Sequence, residues 1–352
     1  MMQMDAELLK DLKELNLITK EIKREDTSLK NRFQSIILDS KYVDSIGSLF
    51  PHYQIVPNER CGLWYVPLDN YTVTSYFKST DGHINNWDFS TRRLNFHLLS
   101  LFKYKNSHHD NNGIIIVDST RRGKKIPDAQ SKTIPIWCSV INCMLYGTNE
   151  QGDDSYIDEN ASNKKYWLWL PKDTITKSEY LRILKEIPNF IYKVKELGII
   201  TESNIQEFKI KLNNKKLKPY WVYPGLKDIM NYKKLIIEDS TENDFNPVIL
   251  CTSSYQCQDG MDKRNGFTYV QGAADDHELW SNGLEPIDFW SNFENFKDKN
   301  LTEDEILKII RDIKLHGNSI KDATIVSNDI TKITDLIHVV IPKNPQKNLE
   351  QN

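Results

Sequence analysis

The sequence predicts an α/β protein with a mixed or mainly parallel sheet, flanked by helices and preceded by an N-terminal helical segment. Two observations predict this class. From Ala6 to about Leu49, apolar residues recur at three- and four-residue spacings between charges, as in amphipathic helices. Further along, short apolar and β-branched runs alternate with segments of helical periodicity, which favours strands joined through helices.

The bulk composition restricts the class of protein. The chain has 352 residues, 39% of them apolar and 27% charged, which suits a soluble globular protein. No window approaches the ~18–20 apolar residues of a membrane helix, and no signal peptide is visible, so we expect the cytoplasm, or alternatively the nucleus, and no membrane partner. The five cysteines form no CxxC pair, which argues against a zinc ribbon. The net charge of -3 means that any affinity for nucleic acid must come from local basic patches. No stable protein partner is implied.

The elements between the N-terminal segment and the C-terminus follow from local patterns. Aromatic and β-branched residues predict short strands between Gly62 and Phe77. The polar, acidic stretch 147–163 is predicted to be a surface loop. Helical spacing returns over 178–197, broken by Pro188, and an apolar run over 246–251 predicts a buried strand. A capping-box pattern opens a helix over 302–315.

These patterns predict four segments. They are an N-terminal helical segment (1–58), an α/β domain (59–300), a C-terminal helix and linker (301–340) and a disordered tail (341–352).

The strongest local feature is a basic loop between a strand and a helix. Residues 113–117 predict a buried strand, and residues 133–145, with Pro135 in the first turn, predict a core-facing helix. The loop between them holds Gly123, two hydroxyls and four cations, a composition that can cradle phosphate through backbone N–H groups and Arg forks. Asp118 ends the strand, where α/β proteins place ligand contacts. The alternative is a solvated basic turn. Neither a Walker motif nor GxGxxG is present.

A second constellation lies just before that strand. Ser90 is predicted to cap a helix, which would put Arg92 and Arg93 in the first turn, where the helix dipole disfavours cations by roughly 0.3–1 kcal/mol each. That placement suits a bound anion, although long Arg side chains can also extend to solvent. Asp81 and His83, from the preceding polar stretch, are included among the catalytic candidates.

A third constellation gathers acids after a predicted strand. A turn of small residues delivers Asp275, Asp276, His277 and Glu278 together. Such a set could hold Mg²⁺ through Asp275 and Asp276, or supply a general base. The alternative interpretation is that these acids cap the start of a helix.

The fourth constellation is a lysine cluster followed by aromatic residues. Lysines attract phosphates in a salt-dependent way, and exposed aromatic faces can stack on bases. Alternatively, residues 220–223 form a core strand with a solvated lysine lead-in. The candidate RNA contacts are Lys209, Lys211, Lys215, Lys216, Lys218 and Trp221.

Together, these segments resemble the fungal and plant initiator-tRNA phosphoribosyltransferases. The matching strings span about residues 60–290 in one order, with Ala274 as a minor departure. They are Lys78–His83, Trp87–Asn95, Ile116–Lys124, Pro127–Ala129, Ser131–Cys138, Lys218–Val222, Tyr269–Ala273 and Asp275–Trp280. The family also carries a C-terminal phosphatase-like domain, and this chain ends about where that domain would begin. The resemblance therefore implies that residues 59–300 are the catalytic domain and that residues 301–340 lead into a truncated phosphatase-like domain.

The resemblance implies a pentosyltransferase. It would transfer a 5-phosphoribosyl group from phosphoribosyl pyrophosphate to the 2′-hydroxyl of a T-stem purine in initiator tRNA and so block use of that tRNA in elongation. Mg²⁺ and cations would neutralise the diphosphate. Asp118 and the acids at 275, 276 and 278 are the candidates for orienting the donor and drawing the proton. The candidate donor contacts are Arg92, Arg93, Ser119, Thr120, Arg121, Arg122, Gly123, Lys124 and Lys132.

Two rival functions remain open on the sequence. A phosphohydrolase could use the same basic loop, but a cysteine phosphatase loop separates Cys and Arg by five residues, whereas six lie between Cys257 and Arg264. The other rival is a non-catalytic module that docks on tRNA through the lysine cluster.

Overall fold

The structure is a computed structural model, and it describes residues 25–59, 61–102, 113–149, 162–163, 165–264, 266–323, 331–332 and 338–339. The chain divides into two units, with the boundary between Leu301 and Thr302. The segment limits predicted from the sequence stay predictions.

A parallel sheet of four strands lies at the centre of the larger unit. The strands of the described chain are β1 (Gln54–Pro57), β2 (Gly82–His83), β3 (Asn86–Trp87), β4 (Ile114–Asp118), β5 (Ser162–Asn163), β6 (Leu168–Trp169), β7 (Lys216–Val222), β8 (Phe245–Thr252), β9 (Met261–Arg264), β10 (Phe267–Val270), β11 (Thr331–Lys332) and β12 (His338–Val339). The order of the sheet is β1-β4-β8-β7, and every neighbouring pair in it is parallel. The other strands form antiparallel pairs. The prediction of a mainly parallel sheet is confirmed.

Eight α-helices accompany the strands in the described residues. They are α1 (Leu29–Leu49), α2 (Ile134–Tyr146), α3 (Lys177–Glu196), α4 (Glu202–Lys211), α5 (Ile229–Glu242), α6 (Pro286–Ser291), α7 (Phe293–Phe296) and α8 (Glu303–Ala323). Shorter 3-10 turns cover 62–65, 68–70, 79–81, 96–102 and 277–279, and a π-turn covers 129–133. No helix in these ranges is long and apolar enough to cross a bilayer.

Burial explains the central strands and the helix that follows the first of them. Every residue of β4 is buried, as are all but the first of β8, which is typical of strands covered on both faces. Helix α2 begins with Pro135 near its start, as predicted, and packs against β7. Gln130, fully buried in the preceding π-turn, donates to the carbonyls of Ile116 (3.1 Å) and Cys251 (2.9 Å). It thereby joins the start of the helix to both central strands.

Helix α1 packs against β10. The Ser35 hydroxyl accepts a hydrogen bond from the Val270 N–H (2.8 Å), and the Tyr269 hydroxyl donates to Asp39 (2.9 Å). Burial raises the pKa of Asp39 well above its usual range. The predicted N-terminal helix is confirmed over 29–49, and its part before residue 25 lies outside the described residues.

The predicted strands between Gly62 and Phe77 are wrong. The chain forms 3-10 turns there, and only an isolated bridge from Ser75 to Asn58 has β character. The aromatic residues that suggested strands, Trp64 and Tyr65, are fully buried beside α1 and α6. Their pattern reflects core packing, not a hydrogen-bonded ladder. The first strand of the sheet is the earlier β1.

The predicted helix capped by Ser90 is also wrong. A 3-10 turn begins only at Phe96, so Arg92 and Arg93 do not occupy a first helical turn. Asn95 interrupts the segment at φ +51°, and its side chain bonds both backbone groups of Tyr76 (3.0 and 3.2 Å). These bonds to a neighbouring segment replace the ones that a continuous helix would make.

Pro188 does not break its helix. Helix α3 runs through it without interruption, because Pro188 lies on the exposed face while Ile183, Ile187 and Phe190 anchor the opposite face in the core. The predicted loop 147–163 falls mostly outside the described residues.

The smaller unit begins with the predicted capping box. The Glu305 N–H donates to the Thr302 hydroxyl (3.4 Å), and the Thr302 N–H donates to the Glu305 carboxylate (2.8 Å). This reciprocal pair starts α8, which continues beyond the predicted end at residue 315.

Candidate active site

The loops after β4 and β8 are joined at the carboxyl end of the sheet. The Ser253 N–H donates to the Asp118 carbonyl (2.9 Å). The Ser254 hydroxyl accepts from the Thr120 N–H (3.2 Å) and donates to the Thr120 carbonyl (3.0 Å). A cavity of about 370 Å³ opens beside this junction. Its lining residues are Cys61, Phe77, Ser79, Thr80, His83, Asp118, Ser119, Thr120, Arg121, Arg122, Lys124, Pro127, Asp128, Asp275 and Asp276. We call it the donor cavity, because it gathers residues that the sequence resemblance predicts to contact a phosphoribosyl donor.

The basic loop has a fixed and tight conformation. Arg122 and Gly123 lie consecutively in the left-handed region, at φ +58° and +71°. A Cβ on Gly123 would lie 2.9 Å from the Gln258 carbonyl oxygen, so only glycine fits. The Gln271 side chain accepts from the Gly123 N–H (2.9 Å) and donates to the Lys124 carbonyl (2.7 Å). The loop is therefore held by a side chain from the turn after β10.

Asp118 lies buried at the base of the donor cavity. One of its carboxylate oxygens accepts from the Asn58 amide (2.9 Å), and the other accepts from the Ser119 N–H (2.9 Å). Asn58 also bonds the backbone N–H (2.8 Å) and carbonyl (2.9 Å) of Phe77. The carboxylate is thus oriented by Asn58, the residue after β1, and by its own loop.

Arg121 joins the basic loop to the acidic turn. Its Nε lies 2.7 Å from an Asp275 carboxylate oxygen, and its Nη1 lies 2.5 Å from an Asp276 oxygen. Partial burial opposes the charge on Arg121, but its hydrogen bond to Asp276 and the charge of Asp275 outweigh that effect and raise the pKa of Arg121. Arg32, from α1, supports the same turn by donating to the Ala273 carbonyl (2.6 Å), and burial lowers its pKa.

Asp128 is the centre of a second charged group on the cavity wall. Its carboxylate oxygens lie 2.7 Å from Lys124 Nζ, 3.2 Å from Lys132 Nζ and 3.4 Å from His83 Nε2. Lys132 is buried and also lies 3.3 Å from Glu179. Burial opposes the charge on Asp128, but the hydrogen bond from Lys124 and the charge of Lys132 lower its pKa below the usual range.

Other predicted site residues lie away from the donor cavity. His277 faces Glu285 (3.4 Å) and the Trp64 ring (5.6 Å between centroids), and Glu278 is largely exposed. Arg93 pairs with Asp81 (2.5 Å), so that arginine is already neutralised. Arg92 is exposed and does not line the cavity.

The lysine cluster forms the end of α4 and the start of β7. Lys211 pairs with Glu207 (2.6 Å), Lys218 pairs with Asp239, and Lys215 Nζ donates to the Ser240 carbonyl (2.8 Å). Lys216 lies over the Trp167 ring (4.6 Å), and Lys209 lies over Tyr146 (5.8 Å). The strand interpretation is confirmed for Tyr220 and Val222, which are buried, while Trp221 is half-buried. The predicted RNA contacts stay predictions.

Sequence reasoning missed several residues that organise the site. Asn58, Asp128, Gln271 and Arg32 each orient a predicted residue or its loop. The matching strings included Asp128 and Gln271, so the resemblance carried a signal for these two. No sequence signal marked Asn58 or Arg32, because these residues approach the site from distant segments.

The cysteine phosphatase alternative lacks structural support. A nucleophilic cysteine needs a lowered pKa and a cradle of N–H donors. Burial instead raises the pKa of Cys257. Its own N–H donates to Gln271 (3.1 Å), and Arg264 belongs to β9.

No cluster of three or more His, Cys, Asp or Glu side chains within the described ranges could by itself hold a metal ion. Asp275 and Asp276 stand side by side on the cavity wall, so two carboxylates face the same space. Mg²⁺ in phosphate chemistry is commonly bound by one or two carboxylates together with substrate oxygens. The pair fits such a substrate-borne ion.

Comparison with known proteins gives one family and two relatives. The model of the Rit1 N-terminal domain matches residues 22–315. A Saccharomyces cerevisiae protein named tRNA A64-2′-O-ribosylphosphate transferase is 49% identical over 309 residues, which cover 85% of this chain and 57% of that protein. An uncharacterized Schizosaccharomyces pombe protein is 39% identical over 266 residues, 76% of this chain and 52% of that protein. The chain therefore spans little more than half the length of the relatives it matches. No solved structure matches.

Proposed function

Because the chain belongs to the Rit1 N-terminal domain family, we propose that it transfers a 5-phosphoribosyl group from phosphoribosyl pyrophosphate to the 2′-hydroxyl of a T-stem purine of initiator tRNA. The transfer would keep that tRNA from elongation. The name of the S. cerevisiae relative supports the reaction class and the tRNA acceptor. The observation that carries the proposal is the donor cavity, where cations and oriented carboxylates converge at the end of a parallel sheet. The acceptor suggests the cytoplasm, with the nucleus as the alternative.

The cations of the basic loop are suited to the donor phosphates. Arg122 is exposed and forms no ion pair in the described part of the chain, so its guanidinium is available to a phosphate. Arg121 is already oriented by the two acids of the turn, and Lys124 by Asp128. These groups would stabilise the charge that develops on the departing diphosphate.

The reaction needs one proton acceptor and one group that orients the donor. The acceptor hydroxyl oxygen bonds to C1 of the donor, the bond from C1 to the diphosphate oxygen breaks, and pyrophosphate leaves with the electron pair. His83, half-exposed on the cavity wall and 3.4 Å from Asp128, would take the hydroxyl proton. Buried Asp118 would orient the donor ribose.

Mg²⁺ bound to the donor would neutralise the diphosphate, and Asp275 and Asp276 would hold it on the cavity wall. Arg121 occupies both carboxylates in this structure. Its guanidinium would then bind a phosphate oxygen instead, which keeps the local charge balanced.

The test is incubation of the protein with ³²P-labelled donor, Mg²⁺ and tRNA. We expect label to enter initiator tRNA and not elongator tRNA, and to be lost when the acceptor carries a 2′-deoxy sugar at the T-stem purine. Release of inorganic phosphate without transfer would support the phosphohydrolase. A gel shift without transfer would support the non-catalytic module, and either result contradicts the proposal.

A further inference from the structure

A second and larger cavity lies next to the donor cavity. It measures about 760 Å³, within the roughly 300–1,000 Å³ range of small-molecule sites. Aromatic rings dominate its lining. They include Trp167, Trp169, Trp221, Tyr223 and Phe245, and we call this cavity the aromatic cleft.

One short segment separates the aromatic cleft from the donor cavity. Lys124 and Pro127 line the donor cavity, whereas Lys125 and Ile126, between them in sequence, line the cleft. The Trp221 indole N–H donates to the Gln130 carbonyl (2.8 Å), in the turn just after this segment. A molecule in the cleft therefore lies beside the loop that we assign to the donor.

The rings of the cleft are fixed but not covered. Trp167 adopts a left-handed backbone conformation (φ +53°), and its indole N–H donates to the Gly147 carbonyl (3.2 Å). The Trp169 ring lies 6.5 Å from that of Trp167 and meets Phe245 edge-on at 5.4 Å. Trp167, Trp169, Trp221 and Tyr223 all remain partly exposed. Partly exposed rings held in set positions can stack on a planar ligand without first being ordered.

The charges around the cleft favour an anionic ligand. Lys125 lies 4.2 Å from the centre of the Tyr223 ring and 3.5 Å from Asp173, and Lys218 pairs with Asp239. The remaining charged side chain of the lining, Lys172, has no acidic partner among the described residues. Planar aromatic faces together with an excess cation match a nucleobase and its phosphate.

We propose that the aromatic cleft binds an unpaired nucleobase of the acceptor RNA, stacked against the Trp169 ring, with a flanking phosphate at Lys172. The identity of the RNA rests on the proposed function. A proline-rich peptide is the main rival occupant, since such peptides dock in aromatic grooves. The uncompensated lysine and the shared wall with the donor cavity favour RNA.

The test is the affinity of the protein for a fluorescent single-stranded oligoadenylate and for tRNA. We expect Trp169→Ala to weaken oligoadenylate binding roughly 5- to 150-fold, the range that removal of one stacking platform produces. Trp169→Phe should retain most of the affinity, because a phenyl face remains. Tyr223→Ala tests a second ring on another part of the wall and should also weaken binding. Tyr192→Ala, which removes an exposed aromatic ring of α3 outside the cleft, is the matched control and should bind like the wild type.

A second measurement separates the contribution of the aromatic rings to RNA binding from that of the lysine charge. Lys172→Ala should lower the slope of log affinity against log salt by about one, as expected for one phosphate contact. Affinity for phosphoribosyl pyrophosphate should be unchanged in all these variants. Wild-type oligoadenylate binding in both Trp169→Ala and Tyr223→Ala would overturn the proposal. The proposal would also fail if the cleft bound a proline-rich peptide but no RNA. Because this assay involves no transfer, cleft-dependent RNA binding by a protein that transfers no label would contradict the proposed function alone.

Discussion

Two lysine- and arginine-rich segments look alike in the sequence but differ in the structure. The basic loop after β4 directs its cations into a cavity, and Arg122 has no ion-pair partner in the described residues. In the lysine cluster, by contrast, Lys211 and Lys218 are neutralised by acids, and Lys215 bonds a backbone carbonyl. A run of cations predicts a binding site only if the fold gathers several of them around one cavity. Arg121, Arg122 and Lys124 of the basic loop meet that condition, although acids pair with Arg121 and Lys124.

The largest expected effect comes from the carboxylate that ends β4. Asp118→Asn keeps the size of the side chain but removes its charge, so we expect transfer to fall by about 100- to 1,000-fold, as when one preorganised electrostatic group is lost. Single-turnover transfer of labelled donor measures this. Asp262→Asn, an exposed acid on β9, is the matched control. Equal rates for Asp118→Asn and the wild type would remove Asp118 from the site.

Replacing the lysine cluster should have a smaller effect. With Lys215, Lys216 and Lys218 changed to Ala, we expect weaker tRNA binding and a salt slope lower by about one instead of three, because two of the three already have partners. Initiator and elongator tRNA should be affected equally, and donor affinity should stay the same. A salt titration with both tRNAs measures the slope. A decrease near three would show that the existing partners release these lysines to phosphates, and the contrast between the two segments would fail.

The smallest effect concerns stability. It compares the two acids that pair with lysines of the two segments, Asp128 with Lys124 and Asp239 with Lys218. Lys124 and Lys132 lower the pKa of Asp128, and hydrogen bonds from Lys218 and Tyr220 lower that of Asp239, although burial opposes both shifts. A carboxyl group whose pKa is lowered by folding stabilises the protein above its ordinary pKa and loses that contribution as the pH falls through the lowered value.

We therefore expect Asp128→Asn and Asp239→Asn each to cost roughly 1–2 kcal/mol at pH 7. Both should approach the wild type as the pH falls below the lowered pKa of each carboxyl group. Denaturant titration at several pH values measures the difference. At saturating tRNA, only Asp128→Asn should also slow transfer, because Asp128 lines the donor cavity, whereas Asp239 lines the aromatic cleft. An equal loss of transfer in both variants would mean that the two ion pairs act through folding alone.

The sequence predicted those parts of the fold that depend on local pattern. The continuous apolar runs of β4 and β8 and the periodicity of α2 identified the central layer, because burial on both faces leaves a strong local signal. The pattern failed at Trp64 and Asn95, where the conformation depends on contacts with distant segments. Aromatic residues packed in a core and a polar residue bonded across the chain look, in sequence, like strand and helix residues.

The candidate site likewise contains residues that were predicted from the sequence and residues that were not. Asp118, Arg121, Arg122, Asp275 and Asp276 were predicted, and the structure brings them together around one cavity. Arg92 and His277 were predicted too, but they lie elsewhere, because adjacency in sequence does not determine which way a side chain points in a turn. The contribution of Asn58 depends on long-range packing, which no local pattern shows, whereas Asp128 lies four residues from both Lys124 and Lys132.

Calorimetric titration with phosphoribosyl pyrophosphate and Mg²⁺ tests the central claim, that the loop after β4 holds the donor. Two arginines that the sequence assigned to the same role now differ in position: Arg122 lines the donor cavity, and Arg92 lies outside it. We expect Arg122→Ala to weaken donor binding by about 10- to 100-fold, the loss of one charge-assisted contact, while Arg92→Ala binds like the wild type. Unchanged affinity in Arg122→Ala, or an equal loss in Arg92→Ala, would contradict the assignment.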